Sequence, residues 1–353
     1  MRIAVVGDAS SINVRRWSQS LAHAGAEVHV VSFERVLHLD DAGAITDHQL
    51  PGRLDRGRAR YVLGIPAVRR VLREIAPDVV CGYYSTGYGM LAAYSGRRPV
   101  VQVCVGSDVV PEPARPVAQR VAGFHLRRAD LVLGWSPHLI EAAVALGAKP
   151  ARCVVQPRGI PVEDFVSYRP DDLPAGPLRV ISTRALTDDK HVDILIDAFL
   201  AAAVPGAVLT IVGDGPARAG LEARAAAGGS AIRFLGTVAN EELPALLATH
   251  HVYASTKPVD GVSASLMEVM AVGLYPIVVD NPANSPWIEE PTTGRLLPMH
   301  MPAFAAAIRL AAADRHALDQ AREKNLRVVR ERADQYQNAG RFVRMFSELA
   351  GRP

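Results

Sequence analysis

Two basic residues, a glycine turn and a pair of carboxylates stand where a chain could bind phosphate. Arg184 and Lys190 flank the segment Ser182-Thr183-Arg184-Ala185-Leu186-Thr187-Asp188-Asp189-Lys190. A fixed Arg and Lys beside helix N-termini can neutralise the negative charge that develops on a departing diphosphate, without a metal. The same two residues could instead be surface cations partnered by Asp188 and Asp189. Further on, Gly213-Asp214-Gly215-Pro216 reads as a turn whose glycines let backbone approach a ligand and whose proline suits the first turn of a helix. An ordinary strand-to-helix turn has the same composition. Asp260 and Glu268 are eight residues apart and enclose a loop of small residues that includes Ser263, Ala264, Ser265 and Leu266. That pattern puts one acid before a helix N-terminus and one on its first turn, with the intervening N–H groups aimed at a phosphate. Asp260 could then bond sugar hydroxyls and Glu268 a ribose diol, or Ser265 and Glu268 could simply form a capping box.

Strand ends must hold these residues, and the sequence supplies them. Short apolar runs rich in Val and Ile recur between segments of helical period, the mark of parallel sheets buried on both faces. Strands are expected at Arg2–Gly7, Val28–Phe33, Val79–Gly82, Val100–Val105, Leu131–Leu133 and Val154–Gln156, and again at Leu178–Ser182, Val208–Val212, Ile232–Leu235, Val252–Ala254 and Pro276–Val279. In the second half, helices are expected at His191–Ala203, Ala217–Ala227, Glu241–Thr249 and Ser265–Val272. At 353 residues the chain is long enough for two domains of about 150 to 180 residues. The expected fold is therefore α/β, with two doubly wound, Rossmann-like domains facing a cleft. Residues 1–165 form the first, 166–330 the second, and 331–353 a C-terminal helix that packs back on the first. The junction lies in the Pro- and Gly-punctuated stretch Pro157–Pro170.

Several classes are excluded. With 49% hydrophobic and 21% charged residues and a mean hydropathy of +0.10, the chain is neither disordered nor membrane-spanning. Gly7-Asp8-Ala9-Ser10-Ser11-Ile12-Asn13 follows the first strand without the glycines of a dinucleotide-binding turn. No P-loop, nucleophile elbow or H-E-x-x-H pair is present. Cys81, Cys104 and Cys153 have no metal-site spacing and read as buried thiols. His250-His251 reads as packing or capping rather than ligation, so no metal and no cofactor is expected. The start of the chain lacks a signal h-region, which implies a cytoplasmic location.

Taken together, the order and spacing of these motifs resemble the retaining GT-B glycosyltransferases of family 4, the glycosyl transferases group 1. Asp260 to Glu268 resembles the family's E-x7-E element and is followed by Met270-Ala271-Val272-Gly273. Arg184 and Lys190 match its diphosphate-binding pair, and Gly213–Pro216 matches its G-D-G-P turn. Phe234-Leu235-Gly236 resembles the segment that contacts the donor base, which puts Leu235 among the donor residues. Ser11-Ile12-Asn13 with Arg16-Trp17 resembles the opening loop and helix, and Gly106-Ser107-Asp108 the G-S-D turn. The resemblance implies transfer of a hexose from a nucleotide-sugar, UDP-sugar by default, to a hydroxyl acceptor with retention of configuration. Asn13, Arg16, Ser107 and Asp108 would hold the acceptor, while Arg184, Lys190 and Asp260 would serve the chemistry. Gly213, Asp214, Gly215, Leu235, Ser263, Ala264, Ser265, Leu266 and Glu268 would bind the donor.

The sequence departs from the family in three places. Asp260 replaces the first Glu, Arg184 and Lys190 stand one residue further apart than usual, and Val105 stands where a His often precedes G-S-D. Two other readings follow: a catalytically silent relative that binds a sugar nucleotide or a partner protein, and a nucleotide-sugar epimerase of the same fold. The acceptor could be a saccharide, a lipid-linked saccharide or a small natural product. Residues 1–165 carry 20 basic against 15 acidic side chains. Arg53, Arg56, Arg58 and Arg60, followed by Arg69, Arg70 and Arg73, could face an anionic inner-membrane surface, an acidic acceptor or water. Nucleic acid is not expected as a partner, because no aromatic-interleaved basic stripe accompanies them.

Overall fold

The computed structural model describes residues 1–35, 43–51, 57–110 and 116–351. Arg53, Arg56 and the Arg58 side chain lie outside this set. The chain divides into two compact units, Met1–Arg158 with Gln335–Pro353, and Gly159–Asp334.

The first unit is built on a parallel sheet of β1 (Arg2–Val6), β2 (Glu27–Ser32), β3 (Ile45–Gln49), β4 (Val79–Tyr83), β5 (Val100–Cys104), β6 (Leu131–Gly134) and β7 (Cys153–Val155). Their order is β3-β2-β1-β4-β5-β6-β7. The central strands β4, β5 and β6 are buried at every residue, as their nearly unbroken apolar runs require; the one polar residue, Gln102 of β5, donates to Gly89 O. β3 is absent from the sequence expectation. It is an edge strand reading Ile-Thr-Asp-His-Gln and is exposed at alternate and central positions, so it carries no apolar run.

The second unit repeats the plan with β8 (Arg179–Thr183), β9 (Val208–Val212), β10 (Ile232–Gly236), β11 (Val252–Ser255), β12 (Tyr275–Val279) and β13 (Arg295–Leu297). All neighbours are parallel, in the order β10-β9-β8-β11-β12-β13. β13, the other strand the sequence did not announce, is three residues long and also lies at an edge. One core packs Val192–Ala202 and Met301–Ala313 on one face of this sheet, and a second packs Ala264–Val272 and the end of Arg315–Arg332 on the other.

The boundary expected at 165 lies instead at Arg158, because Ile160, Val162 and Phe165 are buried in the core of the second unit. The tail is also divided differently. Arg315–Arg332 stays in the second unit, where Val329 is buried, and Ala333-Asp334 breaks the helix. Gln335–Leu349 belongs to the first unit, where the Phe342 ring lies 4.7 Å from Trp17 and 5.8 Å from Trp135, edge-on to both.

Candidate functional site

In an open parallel sheet, ligands bind beyond the carboxyl ends of the strands where the winding direction reverses. In the second unit that point lies between β8 and β11. Arg184 follows β8, and Ser255, which ends β11, accepts a hydrogen bond from Arg184 Nε at 3.0 Å. Asp260 then receives two cations, with Lys257 Nζ 2.9 Å from Oδ1 and Arg184 Nη1 3.7 Å from Oδ2. These three side chains are largely buried. Burial lowers the pKa of Lys257 and the Asp260 carboxylate opposes it, while Arg184 and Lys190 push it down further. Lys190 thus belongs to the same cationic group, and it pairs with Asp189. The surface-cation alternative holds in part, since Lys190 has the acidic neighbour it foresaw. Thr256 Oγ1 donates to the carbonyl oxygens of Lys190 (3.2 Å) and His191 (2.7 Å), tying the end of β11 to this loop.

Lys257 was not among the sequence candidates. The signal was available, because Lys257 is one of four lysines in the chain and lies three residues before Asp260. Asp260 has both oxygens engaged by cations, so its observed work is to hold Arg184 and Lys257 in place rather than to stand free for sugar hydroxyls.

The glycine turn acts differently from the expectation that it opens backbone to a ligand. A Cβ on Gly213 would lie 2.0 Å from the Arg184 carbonyl oxygen, and one on Gly215 2.3 Å from that of Leu186. The two loops are stitched together by Arg184 N to Val212 O (3.0 Å), Leu186 N to Asp214 O (3.0 Å) and Ala217 N to Leu186 O (3.0 Å). Gly213 and Gly215 therefore permit loop-on-loop packing that sets the position of Arg184. Asp214 faces its own turn, accepting from Gly215 N at 2.7 Å and pairing with Arg218 at 2.9 Å, and these contacts hold its carboxyl below the usual range. Leu235 lies at a register shift of β10 and is 45% exposed.

The helix after β11 starts at Ala264 with Ser263 at its N-cap. Ser265 is inside the helix, so the capping box with Glu268 does not form. Glu268 is half-buried on the second turn rather than the first. The Ser263 backbone accepts from Leu266 N and Met267 N, but its side-chain Oγ is buried without a partner. An orphaned buried hydroxyl beside the free N–H groups of Ala264 and Ser265 is a donor set suited to a phosphate oxygen. The buried Leu266 side chain leaves only its backbone for such a contact. His250 bonds Leu246 O and Thr210 Oγ1, and His251 bonds Pro174 O and Arg179 N, so both pack and cap. Among the described residues no three His, Cys, Asp or Glu side chains cluster as a metal site would need.

In the first unit the winding reverses between β1 and β4. Asp108 is only 1% exposed, and its oxygens accept from Ser85 N (2.9 Å), Ser85 Oγ (2.8 Å), Val105 N (3.1 Å) and Gly106 N (2.9 Å). Burial raises its pKa against those bonds. Asp108 is a turn staple, not an acceptor ligand as expected, and it presents Ser107, which is exposed and shares a 2.8 Å hydrogen bond with Tyr84 Oη. Tyr84 follows β4 with φ +78, a strained conformation for a residue with a Cβ. Asn13 is exposed after β1, and its backbone and side-chain oxygens accept from Arg158 Nη1 at 3.3 and 3.4 Å. Arg16 is half-buried one turn on. Beyond β2, Glu34 takes Arg60 Nη1 at 2.8 Å and the Tyr88 hydroxyl. Arg60 lies over the rings of Phe33 (5.2 Å) and Tyr61 (5.0 Å). Of the loop arginines, Arg60 is therefore committed to a structural pair.

Comparison with known proteins agrees with this architecture. Residues 177–314 match the family described as glycosyl transferases group 1, and residues 2–136 match the family described as glycosyl transferase 4-like. No curated protein matches significantly. The structure of HepE from Anabaena in complex with UDP is 18% identical and covers 99% of this chain and 100% of its own, with a TM-score of 0.82. A glycosyltransferase from Rickettsia africae is 14% identical over 99% of this chain and 98% of its own, TM-score 0.82. Sucrose-phosphate synthase from Thermosynechococcus elongatus is 18% identical over 99% of each chain, TM-score 0.79. Two doubly wound units in this strand order, with both halves matched in sequence, make this chain a member of the GT-B glycosyltransferases.

Proposed function

We propose that this glycosyltransferase moves a sugar from a nucleotide-sugar, a UDP-sugar in the first instance, to a hydroxyl acceptor with retention at the anomeric carbon. The observation that carries the reading is that Arg184 and Lys257 share one carboxylate, Asp260, at the reversal point of the second sheet, with Lys190 beside them. Fixed, partly desolvated positive charge is what a leaving diphosphate requires, and preorganised donors of this kind are worth roughly 3 kcal/mol each in a water-excluded site. The diphosphate would lie against Arg184, Lys190 and Lys257, with Ser263 Oγ and the N–H groups of Ala264 and Ser265 on its other oxygens. Glu268 would take the ribose diol, and Leu235 and Gly236 the base. The neighbour HepE, solved with UDP and with UDP-glucose, supports the choice of base.

In the proposed reaction the C–O bond between sugar and phosphate breaks, and the acceptor oxygen bonds the anomeric carbon from the same face. The acceptor proton goes to the leaving phosphate oxygen, so no protein base is invoked. Asn13, Arg16 and the Ser107–Tyr84 pair are the proposed acceptor contacts of the first unit. Among the described residues no helix is long and apolar enough to cross a membrane.

A panel of UDP-, GDP-, ADP- and dTDP-sugars in a thermal-shift assay tests this. At 100 times its dissociation constant a ligand should stabilise the protein by about 2.7 kcal/mol. One nucleotide class should do so, and Arg184→Ala and Glu268→Ala should both lose the effect. Absence of any shift in the wild type would refute donor binding. One observation favours a second reading, a silent relative that binds donor without turnover: Val105 occupies the position before Gly106-Ser107-Asp108 where a histidine would shield the cationic transition state. Release of free UDP on adding acceptor candidates distinguishes the two.

A further inference from the structure

The amino-terminal part of the second sheet carries unbalanced positive charge beside a cavity that shares only Leu235 with the proposed donor contacts. The cavity has a volume of about 410 Å³ and is lined by Arg179, Arg233, Thr210, Thr249, Leu235 and Leu246 among others. The six-residue helix Leu243–Ala248 contributes Leu246 to its wall. Along β10, Ile232 and Phe234 enter the core on one face, so Arg233 and Leu235 project to the other.

Arg179 opens β8, and its Nε is buried with no hydrogen-bond partner. Next to it, Arg315 has a buried, unpartnered Nη1, while its Nη2 donates to Gly176 O at 3.3 Å. No carboxylate among the described residues pairs with Arg179, Arg233 or Arg315. Burial lowers the pKa of Arg315 and the neighbouring Arg179 lowers it further. Burial lowers the pKa of His250 and His251 against their backbone hydrogen bonds, and the Arg179 charge lowers both further. Buried guanidinium N–H groups without partners, on like charges in mutual reach, are unfavourable unless an anion completes them.

We propose that this cavity is a second anion site that takes a phosphoryl dianion, either free phosphate or the phosphate of a small phosphorylated metabolite. Arg179 and Arg233 in the wall, with the Arg315 charge close to Arg179, match a dianion better than a monoanion, and the arginine fork fits phosphate oxygens in pairs. Leu235, Leu246, Thr210 and Thr249 offer a mixed wall that a sugar-sized body could rest on, and the volume is of ligand-pocket size. The cationic part of the site is separate from the Arg184 cluster, although Leu235 borders both. Arg179 begins β8 and Arg184 follows its end, so the strand holds them about 16 Å apart at ~3.3 Å per residue.

Thermal shift with inorganic phosphate and with glucose 6-phosphate, each against chloride at equal ionic strength, tests the proposal. Arg184→Ala, in which the donor cluster is impaired, should gain melting temperature with saturable dependence on phosphate, whereas the double variant Arg179→Gln, Arg315→Gln made in that background should lose at least nine-tenths of the gain. Without ligand, adding the double variant should not lower the melting temperature of Arg184→Ala, since it removes uncompensated charge. If the double variant does not fold, Arg233→Gln, which changes an exposed side chain, should weaken phosphate binding several-fold. A site-specific readout comes from phenylglyoxal modification followed by peptide mass spectrometry, in which phosphate should protect Arg179 and Arg233. Tighter binding of glucose 6-phosphate than of phosphate supports the site and assigns it to a metabolite; the reverse supports it and assigns it to the free ion. A phosphate response of Arg184→Ala equal to that of chloride, or one that survives when Arg179→Gln and Arg315→Gln are added, overturns the proposal.

Discussion

Gly213→Ala is the sharpest perturbation the donor loop offers. The new Cβ would stand 2.0 Å from the Arg184 carbonyl oxygen at a backbone φ of +132. Contacts this short do not occur, so the loop carrying Arg184 must retreat by about 1 Å to restore ordinary van der Waals separation. The left-handed backbone adds roughly 1–2 kcal/mol for a residue with a Cβ, and overpacking a fitted contact costs typically about 1–3 kcal/mol. A loss of about 2–5 kcal/mol follows, which at roughly 2–4 °C per kcal/mol is a drop of about 4–20 °C in melting temperature. Displacement of Arg184 by that distance should also weaken stabilisation of a diphosphate by up to about 100-fold, the usual sensitivity of positioned charge to ångström shifts. Gly220→Ala is the internal control: it lies inside the helix Arg218–Ala225 and its added Cβ meets nothing within 4 Å. That change should be stabilising by about 0.5–1 kcal/mol. Calorimetric melting of both variants, with UDP titration by isothermal calorimetry, reads the comparison. Equal melting temperatures for the two alanine variants would refute the argument that Gly213 exists for loop-on-loop packing.

Other substitutions probe separate parts of the architecture. Ser263→Ala should leave the free protein as stable or slightly more so, because it removes an unpartnered buried hydroxyl, while weakening UDP binding by about 0.5–1.5 kcal/mol in calorimetric titration. Phe342→Ala should cost about 3–5 kcal/mol in urea unfolding, since the ring is fully buried between Trp17 and Trp135. Burial lowers the His251 pKa to about 4, with the Pro174 carbonyl bond opposing it, so the folded state resists a proton that the unfolded chain accepts near pH 6.5. Stability should therefore fall by about 2 kcal/mol between pH 7.5 and 5 on this account, and His251→Asn should flatten that part of the pH profile measured by urea unfolding. For Glu34 burial works against ionisation, but the Tyr88 hydrogen bond and the Arg60 charge hold its carboxyl below the ordinary range. Its contribution is thus present above about pH 4.5 and lost as pH falls through the lowered pKa, and Glu34→Gln should remove that acid-side slope.

The parts of this fold that were legible in sequence are those where a single local rule decides. Central strands such as β4 and β6 are apolar along their length because both faces are buried, and they stand out as short apolar runs. β3 and β13 are edge strands whose polar or short sequences obey no such rule, and only their neighbours identify them. Arg184 and Lys190 were visible from spacing, whereas Lys257 enters the site through the path of the chain after β11 and its shared contact with Asp260. Asp108 shows the opposite limit. A polar residue after a strand looks the same in sequence whether it faces a ligand or four hydrogen-bond donors of its own turn, and only burial separates the cases. The glycines of Gly213–Pro216 were recognised as conformationally necessary, but what they approach is another loop.

The return of Gln335–Leu349 to the first unit has a consequence for how the polypeptide is made. The second unit, Gly159–Asp334, is contiguous and can close as soon as it leaves the ribosome. The first unit is translated earlier yet lacks the helix that covers Trp17 and Trp135 until residues 335–349 emerge. Over that interval its aromatic seam is without its cover. A stop codon near residue 334 would spare the later-made unit and strand the earlier one, so expression of the first unit alone calls for grafting the terminal helix onto residue 158 rather than cutting the gene at the boundary.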